Sequence, residues 1–177
     1  MQEIYKKLGK VVIDYNSIKE KIKEIAHKIE HDYKNKEIVL IGNLKGAFRF
    51  LADLVSELNI PVIIDFIAFA SYIGTHQDER IRIVKDLKLD VEGKEVIVVE
   101  DIIDTGVTMD YIIKYLKEIK GAKEVKICAL LDKPSRRVVE IPIHYKGFEI
   151  DDVFVVGYGL DYNEYFRELN EVREFIE

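Results

Sequence analysis

The chain has 177 residues, 48% of them hydrophobic and 34% charged, which suits one globular domain with a substantial core and excludes a disordered chain. Its net charge of -6, with lysine and arginine scattered along the chain, argues against nucleic acid as the main partner, and no apolar run is long enough to span a bilayer. Cys128 is the only cysteine and the first residues lack an apolar signal-peptide core, so no intrachain disulfide is possible and a reducing cytoplasm is expected.

Val11 to Asp14 reads as a short edge strand. Ser17-Ile18-Lys19-Glu20 has the capping-box pattern, and Ile18, Ile22, Ile25, Ala26 and Ile29 recur at helical spacing, so the pattern predicts a helix from Ser17 to about Tyr33. His27 and His31 lie one turn apart on it; with no third ligand in view, an exposed helix face is the simpler reading than a metal site. Glu37 to Gly42 reads as the first central strand, followed by the loop Asn43-Leu44-Lys45-Gly46 and an amphipathic helix from Ala47 to Leu58. Lys45 thus precedes a helix N-terminus, where a cation is unfavourable unless an anion binds there. Pro61 to Ala70 is the next strand, and a polar stretch then separates it from Ile81 to Val84, as in two hairpin-like strands joined by a mobile loop. His76, Asp78 and Glu79 in that stretch could imitate metal ligands, but a polar loop accounts for them.

Lys94 to Glu100 is a strand, and its run Val96-Ile97-Val98-Val99 is β-branched throughout, as expected where both faces are covered. Glu100 and Asp101 stand at its carboxyl end, where open α/β sheets bind ligands. Asp104-Thr105-Gly106-Val107-Thr108 follows, then a helix from Met109 to Ile119. The backbone N–H groups of this short loop can ring an anion, with the helix dipole behind them. Glu124 to Leu131, which contains Cys128 as a small core residue, is another strand. It ends in Asp132-Lys133-Pro134-Ser135-Arg136-Arg137, a turn whose arginines a solvated basic surface would also explain. Three strand ends carrying polar groups point to binding of a phosphorylated sugar. Tyr145 to Ile150 begins a small terminal hood, Val153 to Tyr162 is its last strand and turn, and Asn170 to Glu177 is a short end piece. Abundant Glu, Lys and Ile with no Trp lean towards a thermophilic source.

The stretch Val96 to Thr108, V-I-V-V-E-D-I-I-D-T-G-V-T, resembles the phosphoribosyl pyrophosphate (PRPP) motif of type I phosphoribosyltransferases, and E-D-I-I-D-T-G is similar to that of the hypoxanthine-guanine phosphoribosyltransferases. V-V-G-Y-G-L-D-Y, L-K-G and S-Y match further motifs in the family's order, over nearly the whole chain. The resemblance implies an α/β fold: a central, mostly parallel twisted sheet flanked by helices, with a hood from the terminal segments. It implies one domain over residues 1–177, with a core of about 15–140, a hood from about 1–14 and 141–177, and a lid of about 71–82. Asn43 departs from the small apolar residue more usual before the leucine, and Thr75 to Arg80 is charged where the family lid is rich in Ser and Gly.

By the same resemblance, the reaction is purine salvage: 5-phosphoribosyl passes from PRPP to N9 of hypoxanthine, and of guanine, with release of pyrophosphate. Leu44, Lys45 and Gly46 form the pyrophosphate loop, in which the Leu–Lys peptide is often cis, with Arg167 on the same group and Ser71 and Tyr72 in the lid. Glu100, Asp101, Asp104, Thr105, Gly106, Val107 and Thr108 hold ribose and 5′-phosphate. Ile102, Lys133, Phe154, Val155 and Asp161 form the purine site: Lys133 contacts the 6-oxygen, Phe154 stacks on the base and Val155 offers backbone groups. Arg137 helps to organise the pyrophosphate loop. Asp104 is the general acid/base at purine N7. Glu100 and Asp101, and for a second ion Asp161, are the magnesium ligands, so Mg2+ is the expected cofactor. The expected partners are small molecules, PRPP and a 6-oxopurine, with no nucleic acid and no membrane, and the chain is expected to be a homodimer or homotetramer. A preference for xanthine, or a non-catalytic PRPP or nucleotide sensor on the same fold, are the alternatives.

Overall fold

A computed structural model describes residues 2–34, 36–73 and 79–176. The centre of the expected lid, with His76 and Asp78, lies outside the described residues, as do the side chains of Ser71, Tyr72 and Glu79.

The main sheet has six strands: β2 (Ile38–Asn43), β3 (Val62–Ile73), β4 (Glu79–Lys85), β5 (Glu95–Ile103), β6 (Glu124–Asp132) and β7 (Tyr145–Glu149). Their spatial order is β4-β3-β2-β5-β6-β7. Only β4 is antiparallel to its neighbour. A second, antiparallel sheet joins β1 (Leu8–Ile13), β8 (Val155–Val156) and β9 (Val172–Phe175) in the order β1-β9-β8. The helices are α1 (Gln2–Tyr5), α2 (Tyr15–Asp32), α3 (Phe48–Glu57) and α4 (Val107–Lys114), the last running on into a π-helical turn, Tyr115–Ile119. None is long and apolar enough to cross a membrane.

The β-branched run of β5 explains the layering. Ile97 and Val99 pack with Ile18, Ile22 and Phe50 of the α2 and α3 side, while Val96 and Val98 pack with Met109, Ile112 and Leu116 of the α4 side. Both faces of the strand are therefore buried, as its composition requires. Between β2 and β5 the chain connections leave in opposite directions, which opens a crevice at the carboxyl ends of these two strands.

Several elements differ from the sequence expectation; β1 starts at Leu8 rather than Val11 and α4 at Val107 rather than Met109, and three further differences concern α2, β7 and the hood. Helix α2 starts at Tyr15, because Asp14 rather than Ser17 is its N-cap: Asp14 Oδ1 accepts from the Asn16 and Ser17 N–H groups at 3.0 and 3.1 Å. The Ser17 hydroxyl instead donates to Asp14 Oδ2 at 2.6 Å. Tyr145–Glu149 pairs in parallel with β6 and is the edge of the main sheet, not the start of the hood. The hood's sheet is β1 with the two-residue β8 and, between them, the four-residue β9, which lies in the stretch expected to be a mere end piece. His27 and His31 are exposed, with His27 Nδ1 3.5 Å from Glu30 Oε2 and His31 Nδ1 3.4 Å from Asp32 Oδ1. Cys128 is buried, and burial pushes its thiol up, away from reactivity.

Candidate active site

The last shared rung of β2 and β5 joins Gly42 to Val99, so Asn43 stands beside Glu100. Asn43 Nδ2 donates to Glu100 Oε2 at 2.7 Å. Glu100 Oε1 accepts the Asp101 N–H at 3.2 Å, and Asp101 Oδ1 accepts the Ile102 N–H at 2.8 Å. Burial, then the neighbouring Asp101 charge, holds the Glu100 carboxyl well above its usual range; burial also raises Asp101. The Leu44–Lys45 peptide is cis. Gly46 lies so close to Asp101 that a Cβ there would stand 1.5 Å from Asp101 Oδ2, which only glycine avoids.

The loop after β5 turns at Gly106, in the left-handed region with φ of 85°. Thr105 O accepts the N–H groups of Val138 and Val139 at 2.9 and 3.0 Å, and Val107 opens α4. A cavity of about 100 Å³ lies here, lined by Glu100, Asp104, Thr105, Gly106, Thr108 and Met109 among others. The first N–H groups of α4 have no carbonyl within the helix to bond, so they can meet an anion. Arg137 braces this loop: Nε donates to Asp104 O at 3.0 Å and Nη2 to Ile103 O at 3.3 Å, while Nη2 also pairs with buried Asp132. Among the described residues, the hydrogen bonds of Arg137 go to the loop after β5 and to Asp132, and none goes to the expected pyrophosphate loop at residues 44–46. A buried guanidinium joins the carbonyls within its reach, and these belong to residues 103 and 104. Arg136 Nε stands 2.9 Å from Asp104 Oδ1 in a half-exposed ion pair.

Lys133 follows β6 and is 6% exposed, with Nζ donating to Val153 O at 2.5 Å. Burial lowers its pKa, against the charges of Asp104 and Asp152. The Phe154 ring is 46% exposed, the condition a stacking platform needs. It stands edge-on to Tyr162 and Phe175, each 6.0 Å away between ring centroids. Val155 is buried in β8 beside it. The turn beyond is tied to the β2 loop: Gly159, with φ of 102°, approaches Gly46 O so closely that a Cβ would be 2.1 Å from it. Arg167 donates to Gly159 O at 2.7 Å and pairs with Asp161 Oδ1 at 2.8 Å. Glu164 lies 2.9 Å from Lys45 Nζ and 3.4 Å from Arg167 Nη2. Among the described residues no three His, Cys, Asp or Glu side chains cluster as a metal cage.

Loops after β2, β5 and β6 and the hood turn thus bring carboxylates, cations and an open ring together around one crevice. Residues 14–163 match the family model of the phosphoribosyl transferase domain. This chain belongs to the phosphoribosyltransferase family. A relative from Aquifex aeolicus named hypoxanthine-guanine phosphoribosyltransferase is 48% identical over 174 residues, 97% of each chain. A crystal structure of a hypoxanthine-guanine phosphoribosyltransferase from Bacillus anthracis superposes with a TM-score of 0.89 at 41% identity, covering 96% of this chain and 99% of that one. A hypoxanthine phosphoribosyltransferase from Staphylococcus aureus gives 0.90 at 35% identity, covering 98% and 94%. In this phosphoribosyltransferase, sequence reasoning passed over two residues of the crevice and its supports. Glu164 joins the expected pyrophosphate cations, and Arg49 holds the Glu168 and Leu169 carbonyls at 3.0 and 2.6 Å. Neither lies in a motif, and Lys45 for Glu164 and the two carbonyls for Arg49 are more than a hundred residues away in the chain.

Proposed function

We propose that this phosphoribosyltransferase moves the 5-phosphoribosyl group of PRPP to N9 of hypoxanthine, and of guanine, releasing pyrophosphate and giving IMP or GMP in purine salvage. The observation that carries this reading is Lys133, a buried donor whose electrostatic neighbour is Asp104. An ammonium only donates, so it accepts a 6-oxo group and leaves a 6-amino group unpaired. The names of the relatives agree with this reading.

Thr105, Gly106, Val107 and Thr108 grip the 5′-phosphate at the start of α4. Lys45 and Arg167 take the pyrophosphate, for which Glu164 must release them; ion pairs as exposed as that of Lys45 with Glu164 are readily given up. Leu44 and Gly46 present the loop backbone, and Ser71 and Tyr72 close over the site. Glu100 and Asp101 receive the ribose hydroxyls. Among the described residues neither carboxyl forms an ion pair with a lysine or arginine, and two adjacent hard carboxyl groups, Glu100 buried and Asp101 partly buried, fit Mg2+; Asp161 offers a further carboxylate for a second ion. Bound there, Mg2+ neutralises the leaving pyrophosphate. Phe154 stacks on the purine, Val155 meets its edge through the backbone, and Ile102 packs beneath it. Asp104 takes the N7 proton as N9 attacks, after giving up its pair with Arg136. Displacement through an oxocarbenium-like state needs little covalent help, so positioning and electrostatics dominate. The assembly is a homodimer or homotetramer working in the cytoplasm.

The test is an ultraviolet assay with PRPP and Mg2+, offering hypoxanthine, guanine, xanthine and adenine in turn. Turnover of hypoxanthine and guanine without adenine is expected. Silence with all four, alongside tight nucleotide binding, overturns the catalytic reading.

A further inference from the structure

Asn43 has no part in the reaction as proposed, yet it is the closest side-chain partner of a buried carboxylate. Glu100 is 7% exposed, and among the described residues no lysine or arginine forms an ion pair with it. One of its oxygens accepts the N–H of the next residue, at 3.2 Å, and the Asp101 carboxyl also lies within hydrogen-bond reach of Glu100. The other takes the short bond, 2.7 Å, from Asn43 Nδ2. Asn43 Oδ1 is itself buried with no hydrogen-bond partner. Turning the amide over would set that oxygen against the carboxylate, so the observed orientation is chosen by Glu100. An unpaired buried acceptor is unfavourable by itself, and a purely structural asparagine would be expected to use both ends of its amide.

We propose that Asn43 is a positioning residue of this chain: its amide fixes the Glu100 carboxylate at the mouth of the β2–β5 crevice, ready for the ribose end of PRPP. The inference rests on the reading of Glu100 given above. The asparagine touches no substrate atom. It restricts the rotation of a carboxyl group whose other contacts, the N–H and the carboxyl of Asp101, both belong to the next residue. Groups that orient a ligand-holding carboxylate in this way commonly change affinity by about tenfold or more when removed.

The experiment compares the intact protein with Asn43→Leu, which keeps the side-chain shape without its donor, and with Asn43→Ser, which keeps a donor on a shorter stem. PRPP binding is followed by calorimetry with Mg2+, and turnover with hypoxanthine is followed in parallel. In Asn43→Leu, the Kd and KM for PRPP are expected to rise by about tenfold, while kcat and the KM for hypoxanthine change far less. Asn43→Ser should fall between the two, and it carries the comparison if the leucine variant fails to fold. Introduced into Glu100→Gln, Asn43→Leu should add almost nothing to the loss of PRPP affinity. An unchanged Kd for PRPP overturns the proposal, as does an equal loss in the Glu100→Gln background. If the intact protein binds PRPP but turns over no purine, the catalytic reading fails, and the calorimetric comparison still decides the role of Asn43.

Discussion

Asp104 is held by its backbone and by its carboxylate, through Arg137 and Arg136, and these are different kinds of restraint. The first is buried and fixes the loop; the second is half exposed and easily given up. Asp104→Asn should therefore leave the fold intact and lower kcat by about tenfold or more, the usual share of a general base; thermal scans and steady-state rates check both halves. Lys133→Gln replaces an obligate donor with an amide that can also accept. Hypoxanthine efficiency should fall and the preference over adenine shrink by at least about tenfold, as measured by kcat/KM for the two bases. The identity of these residues was legible in the sequence, because short contiguous motifs carried them. Asn43 was visible only as a departure from the usual residue, since its partner lies on another strand and only pairing of β2 with β5 brings them together.

The crevice owes its shape to strand ends that approach more closely than side chains allow. Gly46 faces Asp101, and a methyl group there must displace the carboxylate or the loop. Gly46→Ala should weaken PRPP binding by about a hundredfold, the scale of a misplacement near 1 Å, with little change in the far-ultraviolet circular dichroism spectrum. Arg137 ties the β5 loop to Asp132 at the end of β6, and Lys146 of β7 shares that aspartate at 3.1 Å. Arg137→Ala leaves a buried carboxylate short of its partner and should cost about 3 kcal/mol in urea unfolding. Arg137→Lys should recover only part, because a point charge cannot serve two carbonyls and a carboxylate. At this scale the sequence misassigned β7 and overlooked β9. Tyr145-Lys146-Gly147-Phe148-Glu149 shows the alternation of a half-exposed edge strand, which does not say which sheet it joins. Val172-Arg173-Glu174-Phe175 is too short and charged to announce a strand, and acquires its buried ends, Val172 and Phe175, only by lying between β1 and β8.

Across the molecule, the main sheet was legible from its apolar runs, whereas its anchoring by buried polar groups was not. Asp65, inside β3, is the clearest case. Burial works to raise its pKa, but N–H groups of Leu89, Phe66 and Lys88 and the Lys85 ammonium outweigh this, and the carboxyl stays below its usual range. A carboxylate lowered in the folded state stabilises above its unfolded value, near 3.8, and that contribution is lost as pH falls through the lower folded value. Asp65→Asn should thus melt well below the parent at pH 6, and the gap should close towards pH 2 in a series of thermal scans. The pairing of β1 with β9 sets a different condition, one of timing. Leu8 finds its neighbour Phe175 only after all the residues between them have been made. Through that interval β1 offers an open edge. A nascent chain halted before Val172 already has its phosphate loops, but no Phe175 behind Phe154 and no hood to close the crevice. If Phe154 serves the purine as proposed, the capacity to hold a base therefore waits on the synthesis of Val172 to Phe175, later than the phosphate loops.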